Sequence, residues 1–183
     1  MKFIKFLFAF VLFLGSVSVL YAKDFVADYI AGEGASRLVS KLYFSDGNIR
    51  LESPQSISII RKNSKIVWIL IPEQKSYMEI PFSKEMARDF SSKVEGEVKR
   101  EKIGTENVNG MKADKYKVVY LSKGKDYTFY QWISTDSGFP VKSASLNGKV
   151  FFELKNLKFV SSPKNLFVLP PGYKKISYNI PKF

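Results

Sequence analysis

The stretch MKADKYKVVYLSKGKDYTFYQWIS, Met111–Ser134, decides the fold. Its first half opens with polar Lys112, Asp114 and Lys115. Tyr116, Val118 and Tyr120 then fall at alternate positions. Successive side chains of a strand point to opposite faces, so these three share one face of an extended chain. Lys123-Gly124 follows, a pair suited to the tight turn of a hairpin. The run after it, Phe129-Tyr130-Gln131-Trp132-Ile133, is apolar on both faces. Two β-rich runs joined by two turn residues predict an antiparallel hairpin.

The same pattern continues in both directions. Turn pairs recur at Asp46-Gly47, Asn63-Ser64, Asn109-Gly110, Ser137-Gly138 and Asn147-Gly148. Between the turns lie runs rich in β-branched and aromatic residues: Phe25–Ile30, Arg37–Phe44, Ile49–Glu52, Ile57–Arg61, Ile66–Ile71, Ser76–Ile80, Val98–Thr105, Ala113–Leu121, Tyr127–Ser134, Val141–Leu146 and Val150–Phe159. Short strands with hairpin turns predict a mainly β, antiparallel sandwich or barrel rather than a parallel sheet. Ile66-Val67-Trp68-Ile69-Leu70-Ile71 is apolar on both faces, like Phe129–Ile133. Such a strand is covered on both sides, or lines an apolar space on one of them.

One segment reads as helix, Phe82–Val94, entered from Pro81 with Ser83 as the cap. Glu85 lies in the first turn, where a negative charge suits the helix dipole. Met86 and Phe90 lie four apart on one face, beside Ala87 and Val94; Lys84, Arg88, Asp89 and Ser92 form the other. An amphipathic helix between strands is expected to lie across the sheet, as core or as a lid. The end of the chain, Pro163–Phe183, is rich in Pro and aromatics and reads as an extended wrap.

A chain of 183 residues suits one domain. The aromatic share of 15% favours strands and large apolar surfaces. Met1–Ala22 reads as a signal peptide: basic Lys2 and Lys5, an apolar run over Phe6–Leu14, and a small residue at Ala22. The expected mature domain is therefore 23–183, exported to the periplasm. Lys2 and Lys5 account for two of the +12 net charges, leaving +10 on the mature chain. That surplus suits anionic partners, including transient contact with an anionic membrane surface. Arg61-Lys62-Asn63-Ser64-Lys65 also fits the basic patch of a nucleic-acid binder, but an exported hairpin turn is better read as a solvated loop, and no nucleic-acid partner is expected.

The chain has no Cys and no His. Ser–His–Asp and Cys–His catalysis and zinc sites built on those ligands are thereby excluded. Gly32-Glu33-Gly34 lacks the later glycines of a phosphate loop. Acidic residues such as Glu52, Glu73, Glu79 and Asp126 could serve glycoside hydrolysis only if two of them converged. No catalytic residue, metal or cofactor is expected, and the chain is not read as an enzyme.

Longer matches in order and spacing carry a family resemblance. They are Ser58-Ile59-Ile60-Arg61-Lys62, Val67–Glu79, Val94-Glu95-Gly96-Glu97, Gly104-Thr105-Glu106, Val108-Asn109-Gly110, Asp114–Val118, Tyr130-Gln131-Trp132-Ile133, Gly138–Lys142 and Leu166–Tyr173. Together they resemble an uncharacterised family of bacterial envelope proteins allied to the LolA/LolB-like lipoprotein-sorting carriers. The resemblance implies a strongly curved antiparallel sheet, an incomplete barrel of about ten to eleven strands here. Helices close it over an apolar cavity that holds acyl chains. The carriers use several helices as a lid, and only one is read here.

A carrier needs little polar chemistry. A buried methylene is worth ~0.8 kcal/mol, so a twelve-carbon chain brings roughly 10 kcal/mol before association costs. Micromolar binding needs about 8 kcal/mol. The expected occupant is an acyl chain, lipid or lipoprotein. The candidate cavity residues are Trp68, Leu70, Met78, Ile80, Phe129, Trp132 and Phe152, with Met86 and Phe90 from the lid. Each also fits plain core packing. The rival expectation is a non-enzymatic interaction or envelope-sensing module with a filled core.

Overall fold

A computed structural model describes residues 23–61 and 63–177. The expected leader Met1–Ala22, Lys62 of the basic turn, and residues 178–183 of the expected wrap lie outside the described residues. Twelve strands form one sheet: β1 Phe25–Ala31, β2 Leu38–Ser45, β3 Asn48–Glu52, β4 Ile57–Ile60, β5 Ile66–Ile71, β6 Ser76–Pro81, β7 Glu97–Val108, β8 Met111–Ser122, β9 Lys125–Ser134, β10 Pro140–Ser145, β11 Val150–Lys158 and β12 Lys174–Lys175. The first eleven occupy the runs expected. The last adds a short strand from the C-terminal wrap, parallel to β6.

The hairpin read from Met111–Ser134 is present as β8–β9, with Val118 opposite Phe129 and Tyr120 opposite Tyr127. Its turn, Lys123-Gly124, has φ of 50° and 73°. Asp46-Gly47 joins β2 to β3 in the same way, with φ of 49° and 77°. Both central residues at positive φ match the twist of the flanking strands.

The spatial order is β12-β6-β5-β4-β3-β2-β1-β11-β10-β9-β8-β7. From β1 the chain meanders out to β6. It then crosses to the far edge, starts again at β7, and meanders back until β11 pairs with β1. The crossing has a geometric consequence. Across a flat sheet β6 and β7 would lie about 48 Å apart, at ~4.8 Å per strand. Roughly fifteen residues join them, and seven of these, Lys84–Phe90, are wound into a 3-10 helix. At about 2.0 Å per wound residue and ~3.4 Å for the rest, the link reaches about 44 Å at most. A flat sheet cannot be spanned, so the sheet curls beneath its own connection. It is curved and does not close.

The helix expected over Phe82–Val94 is thus a shorter 3-10 segment. Ser83 precedes it, but its side chain makes no capping bond. The tighter winding changes which residues align. With three residues per turn, Phe90 stacks over Ala87 rather than Met86. Phe90 therefore packs inward, and Met86 is left 43% exposed.

Strand register sorts the side chains onto two faces, because directly opposed residues share a side. The face under the lid segment carries Phe25, Ala27 and Tyr29 of β1 and Leu42 and Phe44 of β2. Ile69, Met78 and Ile80 extend it through β5 and β6. Its centre is an aromatic cluster. Phe25 stacks on Phe44 with ring centroids 5.2 Å apart, and Phe139 meets the two edge-on at 4.8 and 4.9 Å. The other face of β3–β6 carries Ile59, Trp68, Leu70 and Tyr77. The C-terminal wrap covers them, with Phe167 buried against Ile59 and Leu70. Buried Arg50 ties the wrap down, donating from Nη1 to the Leu166 carbonyl at 2.7 Å. So the strand Ile66–Ile71, apolar on both faces, is covered on both sides.

Candidate functional site

Phe90 enters the face beneath the lid segment, 5.7 Å from the Tyr29 ring and 6.3 Å from that of Phe139. Tyr29 stacks in turn on Phe152 at 5.5 Å. The middle of the expected hollow is therefore filled by the protein's own rings. What stays open is a pocket of about 250 Å³ to one side, toward β8–β11. Phe129, Phe151, Phe152, Tyr120 and Tyr127 wall it, with Arg88, Asp89, Gln131, Thr128 and Ser143 among them. Phe129 and Phe152 are buried, whereas Tyr127 and Phe151 are about half exposed and form the lip.

A polar seam holds the lid segment beside this pocket. The Tyr29 phenol donates to Asp89 Oδ2 at 2.8 Å. Gln131 Nε2 donates to the Ser91 carbonyl at 3.0 Å, and Arg100 Nη2 donates to Gln131 Oε1 at 3.0 Å. Arg100 also grips Glu97 with two hydrogen bonds of 2.7 and 2.8 Å, and Glu97 accepts the Val94 N–H at 3.2 Å. Sheet and lid are joined at both ends of the segment's last turns, and Gln131 is satisfied on both its atoms. The arrangement follows from buried polar groups needing partners.

Electrostatics at the seam differ from end to end. Burial pushes the Asp89 carboxyl above its ordinary range, and the Tyr29 hydrogen bond only partly offsets this. The Tyr29 phenol is itself pushed up, by burial first and then by the facing Asp89. For Glu97 burial also opposes ionisation, yet the Arg100 bonds and the Val94 N–H outweigh it and hold that carboxyl low. Arg88 lies 5.1 Å over the Tyr120 ring and donates to its hydroxyl at 3.3 Å.

The residues proposed from sequence fall into three groups. Phe129 and Phe152 line the pocket, and Phe90 fills the space next to it. Met78 and Ile80 share the lid face but lie on β6, remote in strand order from β8–β11; Met86 faces solvent. Trp68, Leu70 and Trp132 are on the opposite face. Trp68 and Leu70 lie under the C-terminal wrap. Trp132 sits between Lys115 and Lys142, 4.8 and 4.9 Å from its ring, and its indole N–H donates to Glu106 at 2.8 Å. Alternation explains the split: Gln131 points to the lid side, so its neighbours Tyr130 and Trp132 cannot. The polar members, Arg88, Asp89, Gln131 and Ser143, escape a search for apolar residues. Gln131 leaves one signal, a single amide inside an otherwise apolar run. Among the described residues no group of three or more His, Cys, Asp or Glu is placed to hold a metal ion.

The molecule is thus an open, curved antiparallel sheet whose long connection crosses one face and leaves a small aromatic pocket beside it. The chain belongs to the family described as a domain of unknown function (DUF4412), which matches residues 37–137. No curated protein sequence matches it. Solved structures resemble it in fold. PNGF-II is 14% identical over 85% of this chain and 31% of its own, with a TM-score of 0.50. A chain of the MucA/MucB complex of Pseudomonas aeruginosa is 14% identical over 79% of this chain and 55% of its own, with a TM-score of 0.42. An outer membrane lipoprotein-sorting protein domain from Vibrio parahaemolyticus is 14% identical over 79% of this chain and 89% of its own, with a TM-score of 0.36. This chain therefore spans about half the length of the MucA/MucB complex chain and under a third of PNGF-II.

Proposed function

We propose that this protein is a periplasmic carrier or sensor that holds one acyl chain of a lipid or lipoprotein, without covalent chemistry, between the lid segment and the curved sheet. The observation that carries the reading is the aromatic pocket beside Phe90, open at a lip formed by Tyr127 and Phe151. At about 30 Å³ per water-sized group, its volume admits roughly eight methylenes, worth ~6 kcal/mol before association costs. Eight carbons is short of a full lipid chain. Phe90 supplies the remainder if it swings out: it is half-buried, and it belongs to a short 3-10 segment held by a few hydrogen bonds, the kind of element that opens at low cost. The basic surface adds weak attraction to anionic head groups.

Native mass spectrometry and lipid extraction of the purified protein test this. A co-purifying acyl species, or saturable binding of a fluorescent fatty-acid probe, is the expected result. A protein that is empty in every preparation and does not bind the probe removes the carrier reading. One observation favours the rival: Phe90, Tyr29, Phe139, Phe25 and Phe44 already fill the centre of the hollow. If the probe fails while the intact fold captures a specific envelope protein by crosslinking, the interaction module takes its place.

A further inference from the structure

The pocket wall holds two polar groups whose hydrogen-bonding capacity the fold leaves largely unused. Ser143, on β10, is 3% exposed and lines the pocket. Its register partners are Gln131 on β9 and Phe152 on β11, both also in the lining. Among the described residues its hydroxyl takes no hydrogen-bond partner. That oxygen is open to the pocket rather than sealed, since among the described residues the buried hydroxyl lacking a partner is that of Ser162; its neighbour Gln131, by contrast, is satisfied by the fold on both its atoms.

Arg88 is the second. A guanidinium carries five donors in a planar fork suited to carboxylate and phosphate oxygens. Here it rests on the Tyr120 ring and spends one long hydrogen bond on the Tyr120 hydroxyl. Among the described residues it makes no ion pair within 4.0 Å, although Lys84, four residues ahead of it on the same segment, is paired with Glu95 at 2.7 Å. The adjacent Asp89 is held by the Tyr29 phenol. One cation with most of its donors unspent and one hydroxyl without a protein partner thus border the same aromatic walls.

We infer that this pocket contains an oxyanion subsite, with Arg88 and Ser143 as donors, for an amphiphile bearing a carboxylate or phosphate group. The inference rests on the carrier reading of the same pocket and names the end of the ligand that is recognised. Phe129 and Phe152 receive the hydrocarbon, Tyr127 and Phe151 close over it, and the anion sits at the Arg88 side. The space fits roughly eight to ten non-hydrogen atoms, an eight-carbon acid or ester being the natural probe.

Isothermal titration calorimetry with octanoate, octyl phosphate and 1-octanol tests the assignment. At least one anion is expected to bind roughly ten- to a hundredfold tighter than the alcohol, the range for a hydrogen bond to a charged group. Arg88→Gln should abolish that preference, bringing anion affinity down to that of 1-octanol measured on the same variant. Ser143→Ala, which removes only the hydroxyl and preserves the packing, should weaken the anion several-fold, and it serves alone should the Arg88 variant not fold. Whichever anion binds tighter identifies the head group as carboxylate or phosphate. Equal affinity for the three probes, or a preference that survives both substitutions, overturns the subsite and leaves the apolar pocket standing. Failure of all three probes to bind overturns the subsite together with the carrier reading of this pocket.

Discussion

Replacing Phe90 by Ala separates a plug from a structural core residue. Removing a fully buried Phe costs 3–5 kcal/mol. Phe90 is half-buried and touches two rings, those of Tyr29 and Phe139, so a loss of about 2 kcal/mol is expected. The vacated space adjoins the 250 Å³ pocket through Tyr29, which stacks on Phe152 in the lining. Losing the phenyl ring removes six carbons, which leaves room for about four more methylenes. These bring ~3 kcal/mol gross. Ordering costs take roughly half, so binding of a twelve-carbon acid should improve on the order of tenfold in the variant. Urea denaturation gives the stability change, and calorimetry across a series of eight- to fourteen-carbon acids gives the chain-length profile. In wild type the affinity should rise only shallowly beyond eight carbons, because displacing Phe90 offsets part of each gain, and in Phe90→Ala it should rise steeply to twelve. If the variant loses stability as expected but its profile matches that of wild type, Phe90 is core and not a gate.

Three further outcomes follow from the same contacts. The Asp89 carboxyl titrates above its ordinary value of 3.8 because it is buried. Its contribution to stability is therefore complete at low pH and is lost as pH rises through the raised value. Wild type should lose stability relative to Asp89→Asn on going from pH 4 to pH 7 in urea titrations, and a pH-independent difference would contradict this. Gly96 has φ of +73°, and a Cβ there would lie 2.4 Å from the Leu121 carbonyl oxygen, so Gly96→Ala should cost at least about 2 kcal/mol and loosen the β7 edge in hydrogen exchange. Phe167→Ala should cost about 3 kcal/mol by emptying the buried contact with Ile59 and Leu70, and limited proteolysis should then cut the C-terminal wrap first; a loss below 1 kcal/mol would mean that Arg50 alone anchors it.

Strand positions and hairpin turns were legible because they are local. Alternation in Met111–Ser134 and pairs such as Asp46-Gly47 depend on backbone sterics within a few residues. The absence of His and Cys likewise excluded whole classes of chemistry without any coordinates. Which face each strand residue serves was not legible. Trp68, Leu70 and Trp132 have the composition of cavity residues, yet pairing register turns them away from the lid, and a one-residue change of register would reverse that. The lid itself read as an α-helix from Met86 and Phe90 four apart. In the fold it is a shorter 3-10 segment bridging β6 to β7 across the curled sheet, and Met86 faces outward. Arg88 and Asp89 come from the connection, Gln131 and Ser143 from the adjacent strands β9 and β10 much further along the chain, and the crossing brings them together. Local sterics are written residue by residue, so the sequence alone determined the strands and turns. A pocket depends on which distant residues share a face and on what its own side chains leave unfilled, and the tertiary packing alone decides both.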